Sequence, residues 1–214
     1  MQSVISTLKA GGYYLGTNPT WGTGLAASIV TAYDATKPLV VIRNTSAPAA
    51  GATAQDLIPL WIRLICTAAG SSSTASDLAL VLDPSNRYTS GGTSLVMAQT
   101  NSAIGETFGG TVHVGVIVAP AVGASVRYIG RAKVKTQASP CWALGDQVLI
   151  TFGEVVAPFA APPNGTATII VPVQFPPVVI AGRNTTHSLL LHMWNTDNAT
   201  TAPSFEVEVA LMQL

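Results

Sequence analysis

Histidines are the side chains of this sequence best suited to metal binding and to proton transfer near neutral pH, and there are three of them, His113, His187 and His192. A zinc site needs three or four ligands that converge on one point. His187 and His192 are separated by an odd interval, which would place them on opposite faces of a strand. His113 lies among valines. We therefore interpret all three as structural or surface residues and predict no metal site.

Serine and carboxylate chemistry is not indicated either. No Gly-X-Ser-X-Gly elbow occurs, and the serines at 71–73 lie in an apparent loop without a nearby histidine or acid. Glu206 and Glu208 share a strand face, but alternation places them on the polar side of the last strand, whereas glycoside hydrolysis needs two acids that face a cleft. The sequence predicts that the chain is not an enzyme, with no catalytic residue and no cofactor.

Two oxygen-rich stretches contain the ligands that calcium prefers: Asp83 with Asn86, and Asn195 with Asp197 and Asn198. Each stretch has a single carboxylate, which is few for tight calcium binding. Asx side chains commonly cap their own backbone in turns. We therefore favour turn formation over calcium binding at both places.

A row of cations is the remaining candidate for a binding surface. Arg131, Lys133 and Lys135 alternate with uncharged residues, so three cations share one face of a predicted strand whose other face packs inward. Arg127 lies nearby. This face could contact phosphate or an acidic partner, with a simple polar strand face as the alternative. Ten cations balance ten anions in the chain, so no basic field favours nucleic acid as a partner.

Charge is scarce in this chain. Only 9% of its residues are charged, 48% are hydrophobic, and the formal net charge is zero. An average globular domain has about 25% charged residues. A monomer of this length would expose roughly 9,300 Å², and a net charge near zero favours association. We infer that other protein covers much of the surface, and we predict a homo-oligomer.

Alternation of apolar and polar residues predicts an all-β fold. Along residues 205–211 apolar side chains alternate with Glu206, Glu208 and Ala210, so one face points inward. Further segments with strand patterns are 39–42, 60–66, 78–82, 112–118, 126–129, 131–136, 148–152, 167–173, 178–181 and 188–194. Such short strands, with little helical periodicity, predict an antiparallel two-sheet sandwich of jelly-roll type. An immunoglobulin-like sandwich is the nearest alternative, but its Cys-Trp-Cys spacing is absent.

The first thirty residues differ from the rest of the chain. Glycines and the Asn18-Pro19 pair interrupt them too often for a regular strand or helix, while Tyr13, Tyr14 and Trp21 offer aromatic anchors. We predict that residues 1–30 form an extended N-terminal arm that docks through these aromatics on a neighbouring subunit, and that residues 31–214 form the sandwich. The alternative is that residues 1–30 are an ordered edge of the same domain.

The sequence predicts neither a membrane span nor a secretory signal. The charge-free stretch 155–182 is interrupted by six prolines, which a spanning helix does not tolerate. The N-terminal segment lacks the apolar run of a signal peptide. Cys66 and Cys141 are too few for a disulfide framework, which favours synthesis in a reducing cytoplasm.

Three stretches resemble segments of minor virion proteins of tailed bacteriophages: LDPSNRYTSGGT at 82–93, VRYIGR at 126–131 and TAPSFEVEV at 201–209. Proteins of this family decorate or cement the capsid, commonly as jelly-roll trimers bound at local threefold positions. The resemblance implies a structural protein of the capsid surface, made in the host cytoplasm. It also implies a homotrimer whose partner is the major capsid protein or another virion protein, and it carries no catalytic residues.

A β-sandwich that recognises a host glycan or receptor, as head fibres and lectin-like jelly rolls do, is the alternative function. Trp61, Trp142 and Trp194 distinguish the two hypotheses. Burial of all three favours the cement protein, since Trp usually serves packing. An exposed Trp beside Asn or Asp in a shallow groove would favour sugar binding.

Overall fold

The structure is a computed structural model that describes residues 12–46, 55–71, 75–101, 107–136, 141–153, 170–182, 185–196 and 200–214. Within these ranges the chain forms strands and no helix. The strands are β1 (Tyr13–Thr17), β2 (Leu25–Ala26), β3 (Val40–Asn44), β4 (Leu57–Ala68), β5 (Ala75–Asp83), β6 (Ser90–Ser94), β7 (Val96–Gln99), β8 (Gly110–Val118), β9 (Arg127–Thr136), β10 (Gln147–Phe152), β11 (Ile170–Phe175), β12 (His187–Thr196) and β13 (Ser204–Gln213).

The strands form two sheets that pack face to face. Sheet A has the order β11-β10-β4-β13-β1-β7, with β2 also paired to β13, and sheet B has the order β6-β8-β3-β12-β5-β9. The pairs are antiparallel except β10 with β11, which are parallel. The all-β two-sheet sandwich predicted from the sequence is therefore confirmed. This strand order does not confirm the jelly-roll connectivity, which stays a prediction.

Strand β13 illustrates how the sequence pattern produces the core. Its residues Phe205, Val207, Val209 and Leu211 are fully buried, while Glu206 and the other residues between them face outward. The strand lies in the middle of sheet A, between β4 and β1. Alternation on a strand with one face against the opposite sheet requires this pattern, so the prediction for the last strand is confirmed.

Sheet B is buried on both faces at its centre. In β5, Leu78 and Leu80 belong to the core between the sheets, whereas Val81 packs in a second cluster with Val41 and Leu190 on the outer face. Segments 30–36 and 119–126 cover this outer cluster, since Tyr33 and Val126 pack against it. Strands covered on both faces are nearly continuous in apolar residues, as β5 is.

The N-terminal region is part of the sandwich where it is described. Strand β1 pairs with β13 on one side, with Tyr13 opposite Met212, and with β7 on the other side, with Gly16 opposite Met97. Strands β1 and β2 thus complete the hydrogen bonding of sheet A, and β1 has a neighbouring strand on each side rather than lying at the edge of the sheet. Residues 1–11 of the predicted arm lie outside the described residues.

Other local predictions also differ from the structure. Segment 178–181 was expected to be a strand but makes only an isolated bridge, between Ile180 and Leu57. Strand β6 was not expected, because its Gly91-Gly92 pair has the pattern of a loop. Both glycines have positive φ, 81° and 66°, and they bend β6 where its register with β8 shifts. Glycine adopts these angles without strain, so a bulged edge strand forms where the sequence suggests a turn.

Candidate functional site

The cationic row lies on β9, an edge strand of sheet B. The Arg131 guanidinium lies 3.1 Å from Asp77 Oδ1 and 5.1 Å from the centre of the Trp194 ring. Asp77 is buried, whereas the Arg131 side chain remains 64% exposed. Arg131 is thus held by its own sheet, through a charge-assisted hydrogen bond and a cation–π contact.

Two further cations of this strand, Arg127 and Lys133, extend into solvent. Arg127 and Lys133 are exposed, while Val134 beside them is buried in the core, which agrees with an inward apolar face. The side chain of Lys135 lies outside the described residues. Lys and Arg on an edge strand hinder the addition of another strand, because the incoming strand would have to desolvate them. The row therefore protects this edge of the sheet, whatever else it contacts.

An aromatic cluster lies next to the cations, on the outer face of sheet B. The Tyr33 ring contacts Tyr128, His192 and Trp194, with centroid distances of 6.1, 4.9 and 5.9 Å. Tyr128 is 62% exposed. Burial and the neighbouring Tyr128 raise the pKa of Tyr33 to about 12. Segment 29–35 and Tyr128 line an open groove of about 730 Å³.

His192 is buried beneath Tyr33. Its side chain is 1% exposed and neither ring nitrogen makes a hydrogen bond of good geometry. Burial lowers the pKa of His192 to about 4, the Arg87 charge acts in the same direction, and Asp34 opposes both. The imidazole is thus neutral at pH 7 and acts as a packed ring, in agreement with the structural role inferred from the sequence.

Asp83, considered above as a calcium ligand, instead accepts hydrogen bonds from several protein donors. Arg87 Nη1 lies 2.8 Å from Asp83 Oδ2, Gly123 N lies 3.1 Å from the same oxygen, and Ser85 Oγ lies 2.6 Å from Oδ1. Asp83 and Arg87 are both 1% exposed. This carboxylate therefore belongs to a buried ion pair. Asp197 and Asn198 of the other stretch lie outside the described residues.

In the part of the chain that the structure describes, no group of three or more His, Cys, Asp or Glu side chains is arranged to hold a metal ion. In the same residues no helix has the length and apolar character needed to cross a membrane.

The three N-terminal aromatic candidates occupy different environments. Tyr14 is buried, with its ring 5.1 Å from that of Phe108. Tyr13 is half-buried on the outer face of sheet A, against a cluster that contains Trp61. Trp21 is 77% exposed, the largest exposed fraction among the described large apolar side chains. The three therefore do not form one docking surface; Trp21 alone of them extends into solvent.

An apolar groove opens between β2 in sheet A and β8 in sheet B. It has a volume of about 520 Å³, and the exposed side chains of Ile29, Val116 and Val118 line it together with Ala26. Lys37 is the one charged residue among its described lining residues. The sequence alone does not reveal this groove, because its walls come from segments far apart in the chain.

The three tryptophans that distinguish the two functional hypotheses are buried: Trp61, Trp142 and Trp194 are 5%, 1% and 6% exposed. Trp142 packs edge-on against Phe205, with ring centroids 5.0 Å apart. All three serve packing.

The surface has even fewer charges than the composition indicates. Four of the twenty charged side chains, Asp77, Asp83, Arg87 and Asp146, are buried. At most sixteen charged side chains therefore lie on an accessible surface of 9966 Å², which is about one charged side chain per 620 Å². The exposed apolar residues include Trp21, Ile29, Val116, Val118, Tyr128 and Leu144.

Comparison of the chain with protein-family models, with curated proteins and with solved structures gives no match.

Proposed function

We propose that this chain is a structural subunit of a tailed-bacteriophage particle, a β-sandwich that decorates or cements the capsid as a homotrimer and contacts the major capsid protein. The proposal rests on the resemblance of three sequence stretches to minor virion proteins and on the character of the surface. Burial of Trp61, Trp142 and Trp194 supports it over sugar recognition.

The scarcity of surface charge is the observation that carries the proposal. One ionic group per about 620 Å² leaves large areas with little repulsion between copies. Interface cores are depleted in charged residues and enriched in aromatic and apolar ones. The exposed side chains of Trp21, Val116 and Val118 fit that composition. A surface of this kind is suited to permanent contact with protein.

Two of the four sheet edges, those of β9 and β11, favour contact through faces and turns rather than through added strands. Strand β9 has cations along its edge, and β11 at the edge of sheet A contains the exposed Pro172, which lacks an N–H donor. Both features oppose open-ended growth of the sheets. A trimer that instead binds several capsid subunits at once gains avidity, because each further contact is intramolecular.

Copurification with particles tests the proposed location. In a culture that expresses the chain from its native genome, tailed particles purified through a density gradient are expected to contain the chain in many copies. Mild washing that strips surface proteins should release it while the heads stay intact. Intact particles that lack the chain, in a culture where it is expressed, would contradict the proposal.

A glycan- or receptor-binding module is the alternative, and one observation favours it. Tyr128 is 62% exposed at the rim of the groove along segment 29–35, on the same strand as Arg131. An exposed aromatic ring next to hydrogen-bonding groups is suited to stacking on a sugar. Binding of the chain to an array of bacterial surface oligosaccharides, lost in Tyr128→Ala but kept in Arg127→Ala, would support the alternative. The capsid-decoration proposal predicts no binding above background for the unsubstituted chain or for either variant.

A further inference from the structure

We propose that Trp21 of one copy inserts into the apolar groove between β2 and β8 of a neighbouring copy. Each subunit then contributes one projecting side chain, the Trp21 knob, and one receiving groove. The inference rests on the proposed homo-oligomer and names the surfaces that form it.

The Trp21 knob is held away from the sandwich by a well-anchored turn. Asn18 Nδ2 donates to the Thr23 carbonyl over 2.9 Å, and Asn18 Oδ1 accepts from Val207 N over 3.1 Å. Gly22 has a φ of 76° and its N–H donates to Glu206 Oε1 over 3.2 Å. A tryptophan that buries its ring contributes roughly 150–250 Å² to an interface. A ring that is 77% exposed on an anchored turn is thus available to a partner at little conformational cost.

The groove has the size and lining to receive an indole ring. Its volume of about 520 Å³ lies within the range of about 300–1,000 Å³ common for pockets that enclose small organic groups. Ile29, Val116 and Val118 present apolar surface that is otherwise about half exposed to water. Covering this surface with an aromatic ring removes apolar area from both partners.

Trp21 does not fill the groove of its own chain. Leu25 and Ala26 are paired in register with Phe205 and Ser204, which keeps the segment between the turn and the groove extended. The hydrogen bond between Gly22 and Glu206 anchors the turn one residue further along β13. A Trp21 ring that fills the groove therefore belongs to another copy of the chain.

Charge complementarity identifies a second copy of this chain as the occupant. Glu206 adjoins the Trp21 knob, and Lys37, with a side chain 49% exposed, is the charged residue at the groove. The contact of Lys37 with Asp34 is long, at 3.7 Å, and leaves its ammonium able to face a second acid. Insertion of the knob brings Glu206 of one copy toward Lys37 of the next. Since the knob and the groove are different surfaces, the contact is heterologous, which is the kind of contact that builds a closed ring such as the proposed trimer when the rotation between neighbouring subunits is 120°.

Light scattering on matched variants tests the inference. Trp21→Ala is expected to lower the mass at micromolar concentration from about three times 22.0 kDa toward 22.0 kDa, with an unchanged circular dichroism spectrum. Leu214→Ala is the control, because Leu214 is also a large exposed apolar residue, 58% exposed, but adjoins the opposite end of β13. It should keep the mass of the unsubstituted chain.

The outcomes separate this inference from the proposed function. If the unsubstituted chain is a trimer and Trp21→Ala is an equally stable trimer, the inferred contact is wrong while the proposed oligomer stands. If the unsubstituted chain is a monomer, the proposed oligomer itself fails, and the inferred contact with it.

Disulfide cross-linking gives a second readout that keeps Trp21 in place. Thr20→Cys adjoins the knob and Thr200→Cys lies at the groove, and both threonines are exposed, whereas Cys66 and Cys141 are buried. After subunit exchange, a mixture of the two singly substituted proteins should form a linked dimer. Neither protein alone should do so. Equal cross-linking in each single variant, or none in the mixture, would overturn the inference.

Discussion

Replacing Arg87 with methionine is expected to lower the free energy of unfolding by about 3–5 kcal/mol, because it leaves an uncompensated buried carboxylate. The Arg87 guanidinium lies 2.8 Å from Asp83 Oδ2 and also donates to the carbonyls of Ala35 and Pro120, over 2.7 and 3.2 Å. Both members of the ion pair are 1% exposed. The substitution would therefore detach three segments of the chain from one another at once.

The protonation of Asp83 shows how strongly this site depends on its donors. Burial raises the pKa of Asp83, but hydrogen bonds from Ser85, Arg87 and Gly123, together with the Arg87 charge, overcome it and hold the pKa below its ordinary value of 3.8. Without Arg87 the burial effect would dominate. The loss of stability of the variant relative to the unsubstituted chain should then become smaller as the pH is lowered toward the range in which Asp83 takes up a proton.

Urea unfolding at pH 7 measures the loss, and Arg63→Met is the matched control. Arg63 Nε lies 2.8 Å from Glu208 Oε2, but these side chains are 26% and 17% exposed. A partly exposed pair of this kind contributes about 0–1 kcal/mol. If Arg87→Met and Arg63→Met cost the same small amount, the Asp83–Arg87 pair would not have the structural role assigned to it.

Stability is also expected to fall by about 2 kcal/mol between pH 7.5 and pH 5 because of His192. The pKa of this group is about 4 in the folded chain and 6.5 in the unfolded one. Below pH 6.5 the unfolded chain binds a proton that the folded chain excludes, so the contribution is complete above 6.5 and is lost as the pH falls toward 4. Tyr33, Asp34 and Arg87 are the ionisable groups that face the ring.

The comparison of unfolding curves with those of His192→Leu isolates this effect. Burial also lowers the pKa of His113, which changes stability in the same direction, and His113 is unaltered in the variant. The variant should therefore retain a smaller dependence on pH than the unsubstituted chain. An identical dependence in both proteins would show that His192 does not titrate as its burial requires.

Strands with a regular alternation were predictable from the sequence. In β13, β10 and the second half of β9, one apolar face packs against the opposite sheet. The sequence shows this as apolar residues at every second position. The same pattern placed Glu206 and Glu208 on the outward face. Local alternation suffices wherever a strand is buried on one face.

Strands that rely on glycine were not predictable. In β1, a Cβ at Gly16 would overlap with Met97 Sδ, so glycine permits the close approach of β7. In β6, a Cβ at Gly92 would lie 2.7 Å from Ile117 Cγ1. In both strands, glycine leaves room for the side chain of a residue that is distant in the sequence. From the sequence alone, the same glycine indicates only a break in the strand pattern.

The candidate site was predictable in part. The cations of β9 and the aromatic character of Trp21 are visible in the sequence. The groove between β2 and β8, and the ring cluster around Tyr33, are assembled from segments separated by many residues. Their proximity could not be predicted from residue spacing in the sequence, because these segments come together only when the strands pair.

The molar mass of the purified chain at micromolar concentration, measured by multi-angle light scattering, tests most directly whether copies of the chain cover its charge-poor surface. We predict a mass of about 66 kDa, three times the 22.0 kDa of one chain, that persists on dilution. A stable monomer of 22.0 kDa that stays soluble at the same concentration would contradict the account.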